Sequence, residues 1–455
     1  MLRKQVFFLI LLLVFPFIFS STGCADSGQE MENDMSYQEY LVKEAQLPSI
    51  PPCPDMSDPS NWNDEMRAQN AAWWEAKEAH QAIVIPDAAQ FQDFVRESSQ
   101  RLHEGQEASN FLYSPVSLWF CLHTLAALTE NDSRAQILDV IGPAEEKDGD
   151  EHADILFRSL YWEDDASVCV PALSIWLNKG TLLSETLLDR LAAGHASVFQ
   201  GSMGDMGFNQ ALRLWLNEQT RGLLNDYVSE LCFSPDAGLT ICSTLYMKNG
   251  WNVPFSKDET APDVFYTDDG EVTTDFMHSS SPGVVFRGDG FTAMVLPFQD
   301  GGGVTFILPD SGLSPEELLS GEEVFRFLFS ENEWDNCRYG RVNLSLPKMD
   351  CLSDMSLRNA LEKMGITDIF DPQKLQFSSE ISSDSKLLLS DLQQYGRLIV
   401  NEDGVEAAAA TLTLDGALLM QPDDEIDFTL NRPFLYAVMS ESSIPMFVGT
   451  YHRPE

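Results

Sequence analysis

Short apolar runs with the length and composition of β-strands recur from residue 172 to the end of the chain, separated by long connections. Runs with helical spacing lie mostly earlier, at 118–141, 183–191 and 211–231, and no segment repeats. Early helices followed by clustered strands are typical of an α+β fold dominated by antiparallel sheet. The strand-like runs are 172–177, 239–247, 291–297, 303–308, 343–346, 398–400, 434–439 and 446–451.

The charge of the chain restricts its partners. Its 455 residues include 71 acidic and 28 basic side chains, which gives a formal net charge of -43. Such a surface repels nucleic acid and bare anionic membrane, so neither is expected as a partner. With 44% apolar residues the chain can bury one large core or two ordinary ones.

Residues 1–23 have the pattern of an export signal, with Arg3 and Lys4 followed by an unbroken apolar run. The small residues Ser21 to Gly23 then precede Cys24, which resembles the cleavage site of a bacterial lipoprotein, although Ser21 stands where leucine is commonest. We therefore expect lipidation of Cys24 and a cell-surface location, with membrane contact only through the lipid. The alternative is a simple secretion signal beside a chance cysteine, which would make the protein extracellular.

Residues 24–85 form an acidic N-terminal extension before a main domain at 86–455. The stretch 25–60 has eight acidic residues, one lysine and five prolines, a composition that predicts a flexible tether. In 61–85, Trp62, Met66, Trp73 and Lys77 have helical spacing, which favours a helix docked on the main body.

Searches for catalytic and metal-binding patterns do not indicate an enzyme. No GxSxG nucleophile elbow is present, and the seven histidines lack metal-ligand spacing, so we expect no metal and no cofactor. The glycines at 301–303 join two strand-like runs, which predicts a hairpin turn rather than a phosphate-binding loop. After Cys24 seven cysteines remain without paired spacing, which favours free thiols with at most one or two disulfides.

Several motifs in order resemble the serpin family. They are NFLYSPVS from Asn110, LYMKNGWNVPF at 245–255, the LPF and FILP strands within 296–309, LPKMDCLSDMSLRNALEKMGITDIF at 346–370, and the NRPF and FVG segments within 428–449. They occur in the family's order, and the resemblance covers about residues 86–455.

The resemblance implies a fold and a mechanism. A serpin is a monomeric single domain of three β-sheets and about nine helices, with an exposed reactive centre loop that corresponds here to residues 403–421. A serine endopeptidase cleaves the loop and forms an acyl intermediate. The freed loop then inserts as a new strand into the central sheet and distorts the protease before it can deacylate, so the partner would be a serine endopeptidase held in a covalent complex.

The residue types near the start of this loop suit insertion. Gly404 gives a hinge with wide backbone freedom, and alternate small side chains can enter a packed core without overpacking. The inward set would be Val405, Ala407, Ala409, Thr411 and Thr413. The opposite set, which can remain outward, is Glu406, Ala408, Ala410, Leu412 and Leu414. Valine stands at 405 where the family usually has threonine or serine. The predicted hinge comprises Glu402, Gly404, Val405, Glu406, Ala407, Ala408, Ala409, Ala410 and Thr411.

The resemblance also implies a polar cluster, the shutter, beneath the point where the sheet opens. It would contain Ser114, Ser117, Ser243 and Gln394. Serine and glutamine stand at 243 and 394 where the family commonly has asparagine and histidine. All four side chains can form hydrogen bonds, but their connections must differ from the usual ones.

Two counts locate the scissile bond differently. Spacing from Glu402 favours Leu418–Leu419, whereas spacing from Pro433 favours Leu419–Met420. Either bond presents leucine, which suggests a chymotrypsin-like, elastase-like or subtilisin-like target. The alternatives are a non-inhibitory serpin that acts as a binding protein, and an inhibitor of papain-like cysteine proteases.

Overall fold

A computed structural model describes residues 36–54, 63–85, 88–104, 109–142, 146–229, 231–330, 334–384, 387, 389, 392–405 and 424–454. Its α-helices are α1 Asp64–Gln81, α2 Ala88–His103, α3 Pro115–Leu128, α4 Asn131–Ile141, α5 Glu146–Leu160, α6 Glu185–Ala193, α7 Met206–Gln219, α8 Asn225–Val228, α9 Pro315–Ser320, α10 Glu323–Leu328 and α11 Arg358–Lys363. None of these helices is both long and apolar enough to cross a membrane.

The central sheet has the strand order β1-β6-β4-β7-β16-β15-β13, with β3 beside β4. Strand β7 pairs antiparallel with β4, and β15 pairs antiparallel with β13. The bounds are β1 Leu41–Lys43, β3 Trp162–Glu163, β4 Ser167–Asn178, β6 Ala196–Gly201, β7 Leu239–Gly250, β13 Met349–Ser356, β15 Gln393–Val400 and β16 Gly404–Val405.

A second sheet has the order β17-β12-β9-β10-β11-β18-β19-β2, with β8 beside β9, and β5 pairs with β14 in a small third sheet. The α+β class with three sheets is therefore confirmed. The bounds are β2 Phe111–Tyr113, β5 Thr181–Leu183, β8 Ala261–Thr267, β9 Gly270–Gly288, β10 Phe291–Pro297, β11 Gly303–Pro309, β12 Cys337–Pro347, β14 Ile381–Ser383, β17 Glu425–Thr429, β18 Phe434–Met439 and β19 Pro445–Tyr451.

Helix α3 lies in the larger of two clusters of buried apolar side chains, which we call the main core and which includes Val116 and Leu122 of this helix. It begins at Pro115, and the Ser114 side chain caps it by accepting a hydrogen bond from the Ser117 backbone N–H at 3.2 Å. Proline suits the first helical position because its missing N–H would have no partner there. Nearly every residue of α3 is buried, among them Trp119 and Phe120.

A smaller core lies between α7 and the outer face of the central sheet. Trp176 of β4 and Phe208 and Trp215 of α7 are its large buried side chains. The helical pattern at 211–231 is interrupted after α7, where Gly222 has a φ of 79° and the chain turns before α8. Helix α7 therefore covers the sheet as a separate layer, held mainly by aromatic packing.

The N-terminal extension is attached more extensively than its composition indicates. Leu41 of β1 pairs with Phe199 of β6, and the Tyr40 ring lies 5.0 Å from that of Phe208. The Tyr37 hydroxyl donates to the Glu218 carboxylate at 2.6 Å. The prediction of a flexible tether is thus wrong for residues 36–54, because a few aromatic side chains dock on a core that the rest of the chain supplies.

Helix α1 also docks on the main body, as its spacing predicts. Trp73 is buried, with its ring 6.2 Å from that of Trp162 in β3. Lys77 forms ion pairs with Asp164 at 3.7 Å and with Asp300 at 2.9 Å. The seven cysteines after Cys24 are all unpaired thiols.

Candidate functional site

The two-residue strand β16 lies between β7 and β15. Gly404 and Val405 pair antiparallel with Gly250 and Asn249 of β7, and Val405 also faces Val400 of β15. Beyond this pairing no ladder joins β7 to β15 within the described residues, and the bridge between Leu239 and Leu389 closes the far end. We call the intervening gap, bounded by residues 240–248 of β7 and 393–399 of β15, the slot.

The slot has the width of one strand at the end where β16 lies in it. Neighbouring strands lie about 4.8 Å apart, so β7 and β15 are separated there by two spacings, about 9.6 Å. Within the described residues, β16 is the strand that pairs with both β7 and β15. Two strand edges separated by one strand width can act as a template for one more strand.

The position of Gly404 admits only glycine. Its φ is 153°, and a Cβ built on it would lie 2.3 Å from the Asn249 carbonyl oxygen. The sequence predicts a flexible hinge here, and the structure adds a steric requirement that sequence alone does not reveal. Val405, the next residue, is buried in the main core.

Glu402 anchors the chain just before the slot. Its carboxylate lies 3.1 Å from the Lys348 ammonium and accepts a hydrogen bond from the Thr260 hydroxyl at 3.0 Å. The Glu402 carbonyl oxygen also accepts a hydrogen bond from the backbone N–H of Phe255 at 2.9 Å. Lys348 and Thr260 are distant in sequence, so the motif pattern did not identify them.

The environment of Glu402 favours its charged form. Burial acts to raise its pKa, but hydrogen bonds from its own backbone N–H, Lys348 and Thr260 outweigh burial, and the pKa lies below its usual value. A lowered folded-state pKa stabilises the fold above the unfolded pKa, and this contribution is lost as the pH falls through the folded pKa.

Glu402→Gln is expected to lower the free energy of unfolding by about 1–2 kcal/mol near pH 7, because a charged hydrogen-bond acceptor becomes neutral. The deficit should shrink as the pH falls through the lowered folded-state pKa of Glu402, where the parent loses the same charge. Urea unfolding across a series of decreasing pH values measures it. Asp403→Asn is the matched control, since its ion pair with Lys257 is exposed and contributes little. A deficit that stays constant with pH would contradict this account of Glu402.

The predicted shutter residues meet beside the slot. The Ser114 backbone N–H donates to the Gln394 side-chain oxygen at 2.8 Å, and the Gln394 amide donates to the Ser114 carbonyl at 3.0 Å. Ser117 and Ser243 line the same small cavity as these two. Gln394 thus fastens the N-terminus of α3 to β15 through two backbone contacts, and the role of this cluster in sheet opening stays a prediction.

Two polar side chains on β7 were not identified from the sequence. Asn249 Oδ1 and Thr244 Oγ1 are both buried, and neither has a hydrogen-bond partner within the described residues. Buried polar atoms without partners are uncommon and costly. Both residues belong to β7, which borders the slot. This strand therefore carries two buried polar side-chain atoms that have no hydrogen-bond partner within the described residues.

Several predicted site residues lie outside the described residues. These are the rest of the hinge, the predicted scissile bonds and the predicted lipidation site. Across the described part of the chain no group of histidine, cysteine or acidic side chains is arranged to hold a metal ion. The residues outside it are Glu406, Ala407, Ala408, Ala409, Ala410, Thr411, Leu418, Leu419, Met420 and Cys24.

Comparison with known sequences identifies one family. The family model described as Serpin (serine protease inhibitor) matches residues 89–454. An uncharacterized serpin-like protein of Thermococcus kodakarensis is 29% identical over 292 residues, which cover 62% of this chain and 66% of the relative. Human antithrombin-III is 26% identical over 349 residues, which cover 72% of each chain.

Solved structures have the same fold. The thermophilic serpin tengpin in its native state matches with a TM-score of 0.71 and 23% identity, covering 80% of this chain and 93% of tengpin. Thyroxine-binding globulin in complex with thyroxine matches with a TM-score of 0.69 and 19% identity, covering 80% of this chain and 98% of that protein. At these identities the likeness concerns the fold alone.

Proposed function

The chain belongs to the serpin family, and from that membership we propose that it irreversibly inhibits serine endopeptidases. A protease would cleave the reactive loop, and the freed loop would enter the slot before the acyl intermediate is hydrolysed. The observation that carries the proposal is β16, which lies between β7 and β15 and separates these two strands by one strand width at that end of the slot. Residue 406 follows Val405, the last residue of β16. An entering loop would therefore extend β16 while the pairing of Gly404 and Val405 stays as it is.

The register of β16 gives every loop residue a position in the inserted state. Val405 faces Asn249 and Val400, and in an antiparallel ladder each step forward on the loop is one step back on both neighbours. Ala409 would therefore lie between Leu245 and Gly396 on the face of the main core. A cross-strand pair shares a face, so Ala407 and Thr411 would face the core as well.

Thr411 would lie between Ser243 and Gln394 in this register. Its hydroxyl would then join the polar cluster around Ser114, where side chains that hydrogen-bond are already gathered. Threonine at position 411 is consistent with insertion, because a hydroxyl buried at that position would have hydrogen-bond partners nearby.

The proposed scissile bonds, Leu418–Leu419 or Leu419–Met420, present leucine to the protease. The test incubates the purified domain with chymotrypsin-like, elastase-like and subtilisin-like enzymes and looks for complexes that resist denaturing electrophoresis. A trypsin-like enzyme and papain serve as comparisons. Complexes with the leucine-accepting serine proteases support the proposal. Cleavage or indifference without any complex would favour the non-inhibitory alternative, and complexes with papain alone would favour inhibition of cysteine proteases.

We further propose that the protein is exported and lipidated at Cys24, because a small-residue segment ending in cysteine follows the apolar run of residues 1–23. Cys24→Ala is expected to move the protein from the membrane fraction to the soluble or unprocessed pool. Fractionation followed by immunoblotting measures this. If the variant is processed and remains in the membrane fraction as the parent does, the lipid-anchor proposal is wrong.

A further inference from the structure

A cavity of about 300 Å³ lies between α7, the segment that follows α7 and the central sheet. Its roof is apolar and includes Leu212 and Leu216 of α7, Leu224 before α8 and Val228 at its end, all of them buried. No charged residue lines it within the described part of the chain. An apolar cavity of roughly 150 Å³ stays dry and can hold a benzene-sized molecule, so this one has room for two aliphatic side chains.

The floor of the cavity is the outer face of the sheet at the slot. Thr240, Cys242 and Thr244 of β7 line it from one side, and Tyr395 of β15 lines it from the other. Cys242 and Tyr395 pack against the smaller core under α7, whereas Ile241 and Leu398 belong to the main core. The cavity therefore lies directly above the slot, on the side away from the main core.

The register of β16 identifies which loop residues would lie beneath the cavity. Continuing the pairing of Val405 with Asn249 brings Leu412 opposite Cys242 and Leu414 opposite Thr240. The pairing of Val405 with Val400 likewise brings Ala410 opposite Tyr395. Directly opposed residues point to the same face, so both leucines would point towards α7.

We propose that this cavity receives Leu412 and Leu414 when the cleaved loop inserts. The inference rests on the proposed inhibitory function and adds a specific role for the outward face of the loop, which the sequence indicates could stay outside. Both faces of the inserted strand then become buried, the alanines in the main core and the leucines under α7. If the leucines enter this cavity on insertion, burial of their side chains would favour the inserted state over the intact one.

Replacing both leucines tests the proposal. The double variant Leu412→Asn, Leu414→Asn should be cleaved at a rate close to that of the parent, because both substituted residues precede the proposed scissile bonds and leave the leucines at 418 and 419 unchanged. It should consume at least about tenfold more inhibitor per protease trapped, since insertion is slower while deacylation is unchanged. Ala408→Asn is the matched control, because residue 408 would lie opposite Tyr246 and Arg397, outside the cavity, and it should trap like the parent.

A cross-link tests the register independently of trapping. Opposed cross-strand residues lie within about 5 Å, so Leu412→Cys should form a disulfide with Cys242 on oxidation after cleavage, detected by peptide mass mapping. Thr413→Cys, which would face the main core, should not.

The outcomes distinguish a failure of the proposed inhibitory function from a failure of the cavity assignment. If the parent itself traps no protease, the proposed function fails. If the parent traps but the asparagine pair traps equally well, or the Leu412→Cys variant forms no link to Cys242, the assignment of the cavity fails. Binding of an apolar fluorescent probe that persists in the cleaved parent would identify the cavity as a site for an external ligand and would also overturn the assignment.

Discussion

Replacing Ala409 with glutamate is expected to convert the protein from an inhibitor into a substrate. In the proposed inserted state residue 409 lies between Leu245 and Gly396, and a Cβ built on Gly396 already approaches the Leu112 side chain to 3.3 Å. A carboxylate there would be buried without a partner, at a cost of several kcal/mol or a forced protonation. Since about 1.4 kcal/mol changes a rate tenfold, insertion should become slower than deacylation. The variant should be cleaved normally and trap almost nothing.

Ala408→Glu is the matched control, with the same added charge one residue away. Residue 408 would face α7, opposite Tyr246 and Arg397. The Arg397 guanidinium contacts Asp350 at 2.7 Å, and the guanidinium of Arg221 lies 5.2 Å from the Tyr246 ring. Arg221 and Arg397 already pair with Glu163 and Asp350, but each guanidinium has five N–H groups and can also donate to a new carboxylate, so trapping should fall less than with Ala409→Glu. The measurement is the number of inhibitor molecules consumed per protease inhibited. Equal behaviour of the two variants would contradict the alternation of faces.

The local pattern of apolar residues in the sequence was sufficient to predict much of the fold. Each strand-like run identified in the sequence lies within a strand of the structure, because alternation and β-branched residues reflect burial on a sheet. Gly404 was identified as special from its place before the alanine run. The reason for glycine, the approach of the Asn249 carbonyl, depends on a strand more than 150 residues earlier in the chain.

Features that depend on partners from distant segments could not be predicted. The composition of residues 36–54 predicts a tether, yet Tyr37 and Tyr40 attach it to a core formed by α7 and the central sheet. Likewise nothing near Glu402 in sequence indicates Lys348. The cavity above the slot arises where the chain leaves α7 at Gly222, and a helical pattern running through 211–231 conceals that break.

Cleavage of the reactive loop is expected to stabilise the protein, although a nick in a chain normally does the opposite. Insertion of residues 406–414 would add a strand between β7 and β15, and each ladder hydrogen bond contributes a net of about 0.5–1.5 kcal/mol. Filling the slot and the cavity above it adds apolar burial. The total is of order 10 kcal/mol, which for a domain of this size corresponds to a rise in the melting temperature of order 10 °C.

The most direct test of insertion is a pair of calorimetric scans, one of the intact protein and one of the protein cleaved near Leu418 by a protease that is then removed. Ala409→Glu, cleaved in the same way, is the control, because a buried carboxylate offsets several kcal/mol of the stabilisation that insertion gives. We predict a transition higher by about 10 °C or more in the cleaved parent and a clearly smaller rise in the cleaved variant. A cleaved parent that unfolds at or below the temperature of the intact protein would show that the loop does not enter the slot.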